Sequence, residues 1–211
     1  MVLRLHVHGG YPSYAGLGIE WNDADWQAFK LVKALKGQPF NGYADCQRPN
    51  GQWVRITQEK SAGAFRIFGE WGAAKLSELG LRKGFLVPVP SSGCLGLGRD
   101  PKGRALAAAI ADRTTGFEVL EGLHWHRQLP SAASGGPRDV DTLSKNLRVL
   151  RDLPKGNIVL VDDVVTSGGH LIACAAGLRH FKGHVEHALC AAQTVHHRPG
   201  NMFGIPSRNL E

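Results

Sequence analysis

The sequence predicts an α/β fold with a mostly parallel central sheet flanked by helices and an N-terminal α+β lobe or extension. Three observations carry this. From residue 84 onward, short apolar runs alternate with helix-period segments in the order strand, helix, strand, helix, strand, helix, strand. One run, Ile158 to Val161, is apolar at every position, as a parallel strand covered on both faces must be. Finally, 43% apolar and only 20% charged residues in a chain of 211 suit one packed core rather than a disordered chain.

Taken in order, Leu3, Leu5 and Val7 alternate with Arg4, His6 and His8, which predicts a half-buried strand stopped by Gly9-Gly10. Leu17, Ile19 and Trp21 alternate again and are expected to pair with it as a hairpin. Asn22 is placed to cap a helix, with Asp25 completing a capping box and Ala28, Leu31, Val32 and Leu35 forming the apolar stripe. Gly37 ends it. Trp53, Arg55 and Thr57 line one face of a strand candidate, with Val54 and Ile56 on the other. A second helix spans about Ser61 to Leu79, using Phe65, Phe68, Leu76 and Leu79, and stops at Gly80.

Residues 1–80 are thus set apart from a core at 81–211. Within that core, Phe85–Val89 and Phe117–Leu120 read as strands, with a helix over Arg104–Ala111 between them. "HWHRQLPSAASGGPRDVD" is long, polar and rich in Ser, Gly and Pro, the texture of a lid or binding loop, and residues 124–142 are expected to be adaptable. Leu143, Leu147 and Leu150 suggest a short helix. Leu171, Ala175 and Leu178 mark another, followed by a strand over Val185–Thr194 and an irregular tail.

The segment "NIVLVDDVVTSGGH" carries the chemistry. Ligands bind beyond the carboxyl ends of strands in parallel sheets, which is where Asp162 and Asp163 fall. Two adjacent carboxylates need hydroxyl donors or a cation if partly buried. Thr166, Ser167, Gly168 and Gly169 then offer small side chains and open backbone N–H groups at a helix start, where phosphate binds well. Carboxylates for hydroxyls followed by amides for phosphate match a phosphorylated polyol, most economically ribose 5-phosphate. Solvated aspartates in an ordinary strand–turn–helix connection are the competing structural explanation.

"IVLVDDVVTSGG" closely resembles the phosphoribosyl pyrophosphate signature of type I phosphoribosyltransferases, and "VPVPSS" at 87–92 is similar to an earlier strand end of that family. "DTLSKNLRVL" at 141–150 is a looser match, and the resemblance covers roughly residues 84 to 195. Within the family the chain looks most like the bacterial competence-associated group. The resemblance implies a type I phosphoribosyltransferase-like fold and a Mg²⁺-dependent transferase of the pentosyl-transferring, glycosyltransferase class. The transfer would take the ribose 5-phosphate group of phosphoribosyl pyrophosphate to a nitrogen acceptor, a base or amine of nucleotide metabolism, with release of diphosphate. It makes Asp162 and Asp163 the catalytic pair, binding the ribose hydroxyls directly or around Mg²⁺. The phosphoribosyl site spans Asp162, Asp163, Val164, Val165, Thr166, Ser167, Gly168 and Gly169, with the last four cradling the 5-phosphate. Ser91, Ser92 and Gly93 fall at a diphosphate-binding turn. Arg99, Lys102 and Arg104, or Arg138, Lys145 and Arg148 on closure of the long loop, are the cationic candidates.

Two departures stand out. His170 replaces the threonine that often ends the motif; the larger imidazole is either displaced from the phosphate or reaches it when protonated. The N-terminal cysteine metal-binding module common in competence-associated relatives is missing: Cys46, Cys94, Cys174 and Cys190 are dispersed and read as free thiols. Residues 1–80 could serve as a hood over the acceptor, an oligomer interface (a homodimer among the options) or a partner-binding surface. His6/His8, His124/His126 and His180/His184/His187 invite a metal, but no metal-binding motif supports them. His124, Trp125 and His126 are acceptor-side or lid candidates, with core packing of Trp125 the competing role.

"GLGRDPKG" lacks the P-loop arrangement, and "GCLGLG" lacks a dinucleotide fingerprint. The net charge of +7 is scattered; it favours anionic ligands without specifying nucleic acid. No apolar stretch is long enough for a membrane span and no signal-peptide core is evident, so a cytoplasmic protein is expected. The alternative function is a non-catalytic sensor that binds phosphoribosyl pyrophosphate or a nucleotide and regulates a partner protein.

Overall fold

A computed structural model describes residues 2–14, 17–130 and 135–211. The elements run β1 (Leu3–Pro12), α1 (Asp23–Leu35), β2 (Ala44–Gln47), β3 (Trp53–Ile56), α2 (Ala62–Glu78), β4 (Gly84–Pro88), α3 (Pro101–Ala111) and β5 (Phe117–Val119). They continue with β6 (Leu123–Trp125), α4 (Val140–Asn146), β7 (Leu147–Val149), β8 (Asn157–Val165), α5 (Gly169–His180), β9 (His184–Val195) and β10 (Arg208–Leu210). Six strands form the main sheet in the order β10-β1-β9-β8-β4-β5. All neighbours are parallel except β10, which runs antiparallel to β1. This is the expected α/β architecture.

Period-two alternation sends β8 side chains to both faces. Ile158 and Leu160 join Leu171, Cys174 and Leu178 of α5 on one face, while Val159 and Val161 join Phe68 and Leu76 of α2 and Leu106 and Ile110 of α3 on the other. Both faces being covered explains why "IVLV" contains no polar residue. The Asn22–Asp25 capping box is formed, and Ala28, Leu31, Val32 and Leu35 are buried. The second helix lies where its pattern placed it, capped by Ser61 and Leu79.

Three expectations are corrected. First, β1 does not stop at Gly9-Gly10; it passes through them to Pro12 and pairs in parallel with β9. The glycines admit a close neighbour: the Gly10 amide donates to the Met202 carbonyl at 2.8 Å, and a Cβ at Gly10 would lie 2.4 Å from the Met202 sulfur. Second, Leu17–Trp21 is not a strand, so the hairpin is absent; β9 and β10 occupy the two edges of β1. Third, the helix over 143–150 is shorter, because Leu147 leaves α4 to begin β7, which pairs with β6. Residues 1–80 thus supply a strand of the main sheet as well as α1, α2 and the separate β2–β3 ribbon.

Candidate functional site

β8 continues past the expected stop: Asp162 and Asp163 belong to the strand, opposite Cys190 and its neighbours on β9. Two hollows meet at this strand end. Asp162, Val164 and His170 line both of them, and Asp163 lines only the larger. The Asp163 amide donates to Asp162 Oδ1 at 2.8 Å, and Lys36 Nζ stands 3.4 Å from Asp163 Oδ2. Burial, reinforced by the charge of Asp163, pushes the Asp162 carboxyl well above the usual carboxylate range, against the opposing pull of the Asp163 amide and Lys36.

The smaller hollow, about 50 Å³, is lined by Arg138, Asp162 and Val164 through Leu171. Gly168 holds φ at 92° and caps α5 with no side-chain hydrogen bond. The helix start therefore carries no capping side chain at Gly168, the Gly169 amide donates only a long 3.5 Å bond to Ser167 Oγ, and both glycines are required for that. A Cβ on Gly168 would come within 2.9 Å of Leu210, and one on Gly169 within 2.0 Å of the Arg138 carbonyl oxygen. Thr166 and Ser167 are exposed at the rim, with Thr166 Oγ1 3.0 Å from Thr194 Oγ1. His170 sits edge-on to Trp125, ring centroids 5.7 Å apart. Burial, and then the nearby Arg138, hold its pKa below the ordinary imidazole value, which disfavours the protonated form considered from the sequence.

The larger hollow, about 220 Å³, brings Ser91, Ser92 and Lys102 against Asp162 and Asp163, with Lys36 and Asp100. Asp100 is buried and holds this loop: one carboxylate oxygen accepts from the Ser91 amide at 2.7 Å, the other from the Gly103 amide at 3.1 Å. Trp125 is fully buried and its Nε1 donates to the Pro90 carbonyl at 3.1 Å. It is a support under the loop, so an acceptor-stacking role for its ring is withdrawn.

Among the predicted cations, Lys102 and Arg138 reach the two hollows and four do not. Arg99 is exposed at the far end of the loop. Arg104 turns away to Glu121, with an N–O distance of 2.6 Å. Lys145 is exposed on α4, and Arg148 lines a separate hollow while donating to the carbonyls of Lys145 and Leu147. The α4–β7 transition is what carries these two off. Gly93 is exposed with no atom within 4 Å of its Cβ direction and does not line the cleft. Within the 124–142 stretch, residues 131–134 lie outside the described residues.

Sequence reasoning missed Asp100 and Lys36. Asp before Pro101 is an N-cap signal that could have found Asp100. No local pattern distinguishes Lys36.

Among the described residues no group of three or more His, Cys, Asp or Glu side chains is placed to hold a metal, and all four cysteines are free and buried. His6 and His187 touch, at 3.2 Å between ring nitrogens, without a third ligand. Among the carboxylates lining the larger hollow, Asp100 is occupied by the Ser91 and Gly103 amides, which leaves Asp162 and Asp163 as the hard-oxygen candidates. Burial first, and the charge of Asp163 second, disfavour ionised Asp162, a cost that a bound cation would offset. These residues fit Mg²⁺ held by one or two carboxylates, with substrate oxygens and water completing its shell. No helix among the described residues is long and apolar enough to cross a membrane.

No protein-family model matches the chain, and no curated protein matches it. Solved structures do resemble it. Adenine phosphoribosyltransferase from Saccharomyces cerevisiae, complexed with an imino-altritol bisphosphate and adenine, is 15% identical, covers 79% of this chain and 89% of its own, and has a TM-score of 0.42. The enzyme from Giardia lamblia complexed with 9-deazaadenine is 15% identical over 84% of this chain and 100% of its own, with a TM-score of 0.46. Adenine phosphoribosyltransferase from Thermoanaerobacter pseudethanolicus is 16% identical over 72% and 95%, with a TM-score of 0.37.

Proposed function

We propose that the chain is a Mg²⁺-dependent phosphoribosyltransferase of the type I class, related to the competence-associated group and working in the cytoplasm. The observation that carries this is a pair of hollows at the end of β8 that share Asp162, Val164 and His170. Carboxylates lie between them, the Thr166–Gly169 turn lines one, and Ser91, Ser92 and Lys102 line the other. That order of groups matches the hydroxyls, 5-phosphate and diphosphate of phosphoribosyl pyrophosphate.

The protein's part in the reaction follows from charge. Asp162 and Asp163 accept hydrogen bonds from the ribose hydroxyls and fix the ring over the strand end. The amides of Thr166 to Gly169 hold the 5-phosphate. The bond between ribose C1 and the diphosphate oxygen breaks, and its electron pair leaves with diphosphate. The acceptor nitrogen's lone pair forms the new bond to C1, and that nitrogen loses its proton to water. Positive charge develops on the ring as the bond breaks, and the Asp163 carboxylate stabilises it, joined by Asp162 where a bound cation keeps that acid ionised. Mg²⁺, when bound to the donor, supplies neutralisation of the diphosphate charge. Tyr11, stacked on Phe29 at 5.6 Å, is near enough to Asp163 and Lys36 for their charges to act on its hydroxyl.

Calorimetric titration of phosphoribosyl pyrophosphate with MgCl₂ tests the donor site. Wild type is expected to bind at micromolar levels and Asp163→Asn at least tenfold more weakly, the loss of a charge-assisted hydrogen bond of roughly 1.5–3 kcal/mol. Diphosphate release is then measured across nucleobases, adenine included, and simple amines. Binding without release for any acceptor would replace the transferase with a sensor. No binding by folded wild type would overturn the donor assignment.

A further inference from the structure

We propose that Lys36, at the carboxyl end of α1, is a donor-binding residue that leaves Asp163 and grips the diphosphate group when phosphoribosyl pyrophosphate enters. This rests on the donor site proposed above and adds a residue that the signature does not contain.

The placement is unusual for an ordinary surface lysine. Lys36 lines the larger hollow together with Ser91, Ser92, Lys102, Asp162 and Asp163. Its ammonium stands 3.4 Å from Asp163 Oδ2, too long for a tight charge-assisted hydrogen bond, and both side chains keep 29% of their exposure. A partly exposed pair at that distance holds weakly. An incoming diphosphate carries more charge than one carboxylate and can draw the ammonium away. The exchange does two things at once: it frees Asp163 to accept from the ribose hydroxyls, and it sets a cation beside the oxygen that departs with the electron pair.

The backbone supports the same geometry. The Lys36 carbonyl accepts from Lys102 Nζ at 3.1 Å, so α1 and the start of α3 are tied together at the mouth of the cleft. Both lysines line the hollow that also carries Ser91 and Ser92. Lys102 also faces the negative end of α1, which it would do for purely structural reasons. The two roles differ in what they predict for the donor and for its diphosphate-free counterpart.

Lys36→Gln and Lys36→Arg are therefore titrated, beside wild type, with three probes in MgCl₂: phosphoribosyl pyrophosphate, ribose 5-phosphate and inorganic diphosphate. The expected result is a loss of tenfold or more for phosphoribosyl pyrophosphate and for diphosphate in Lys36→Gln, with ribose 5-phosphate changed less than twofold. Lys36→Arg is expected to recover most of the loss, and the salt dependence of donor binding should flatten in Lys36→Gln. Equal affinities of wild type and Lys36→Gln for phosphoribosyl pyrophosphate would overturn the role of Lys36 and leave the donor site standing. An equal loss for all three probes, with a lowered melting temperature, would make Lys36 a structural residue and also overturn it. Absence of phosphoribosyl pyrophosphate binding in wild type would overturn the donor site itself, and Lys36 with it.

Discussion

On one side of the cleft, every group from Asp162 to His170 comes from an unbroken stretch that leaves β8 and enters α5. On the other side, Lys36 comes from the end of α1, Ser91 and Ser92 from the loop after β4, and Asp100 and Lys102 from the start of α3. The first side is shaped by backbone: a positive φ at Gly168 and the absence of side chains at two positions. The second is held by side chains, chiefly the Asp100 carboxylate on the Ser91 and Gly103 amides. A site built from consecutive residues is intolerant of any added atom, whereas one assembled from separate elements gives way one contact at a time.

That difference predicts its largest effect at Gly169. A methyl group there meets the Arg138 carbonyl oxygen at 2.0 Å, so Gly169→Ala must push the 138 backbone or the first turn of α5 out of place. Displacement of about 1 Å at a reacting site can cost roughly a hundredfold in rate, and diphosphate release by Gly169→Ala should fall by at least that, with donor affinity falling as well. Gly93→Ala is the control in the loop that carries Ser91 and Ser92, outside the cleft, where a Cβ meets nothing within 4 Å. Its donor affinity, measured by the same titration, should stay within twofold of wild type. Comparable losses in both variants would erase the contrast.

Asp162 sharpens the comparison from the side of stability. Its carboxyl is pushed upward chiefly by burial and then by Asp163, so its ionised form is disfavoured in the native chain. Below the ordinary carboxylate pKa of about 4 the acid is neutral both folded and unfolded, and its contribution to stability is fully present. As pH rises through the raised native value, that contribution is lost. Asp162→Asn stays neutral throughout. It should match wild type in melting temperature at low pH and exceed it increasingly toward neutral pH, by roughly 2–4 °C if the relief is about 1 kcal/mol. Donor binding should weaken at the same time by about tenfold or more. A melting temperature lower than wild type at pH 7 would remove the stability cost assigned to the pair.

The same contrast explains how much was legible in the sequence. The strand, acidic pair and glycine turn could be read because the chemistry and the geometry share one short segment, and "IVLV" marks a doubly covered strand by composition alone. The cationic wall could not, since side-chain direction there depends on tertiary contacts. Arg104 and Lys102 sit on the same helix start, yet one turns to Glu121 and the other to the carbonyl of Lys36. Lys36 belongs to a helix whose stripe and caps were evident, while its meeting with Asp163 depends on how α1 packs over the sheet. Gly9 and Gly10 misled for a related reason. Glycine is a strand stop in isolation, but here it makes room for Met202, far along the chain, to lie against β1.

The smallest effect is expected from the pair of lysine and arginine on α3, and it decides whether proximity in sequence or direction in space sets their roles. Arg104 is 65% exposed in its side chain and ion-paired to Glu121 at 2.6 Å. Exposed pairs of this kind contribute about 0–1 kcal/mol, so Arg104→Ala should lower stability only slightly and change donor affinity by less than twofold. Lys102→Ala removes a cation that lines the cleft and frees the Lys36 carbonyl, and should weaken the donor by about three- to tenfold, one charge-assisted contact at a solvent-exposed site. Measured together by titration and thermal melting, the two variants should separate: a binding loss without a stability loss for Lys102→Ala, and neither to any extent for Arg104→Ala. If Arg104→Ala weakens the donor as much as Lys102→Ala does, the guanidinium abandons Glu121 on binding. The assembled side of the cleft would then recruit its cations by rearrangement rather than hold them in place.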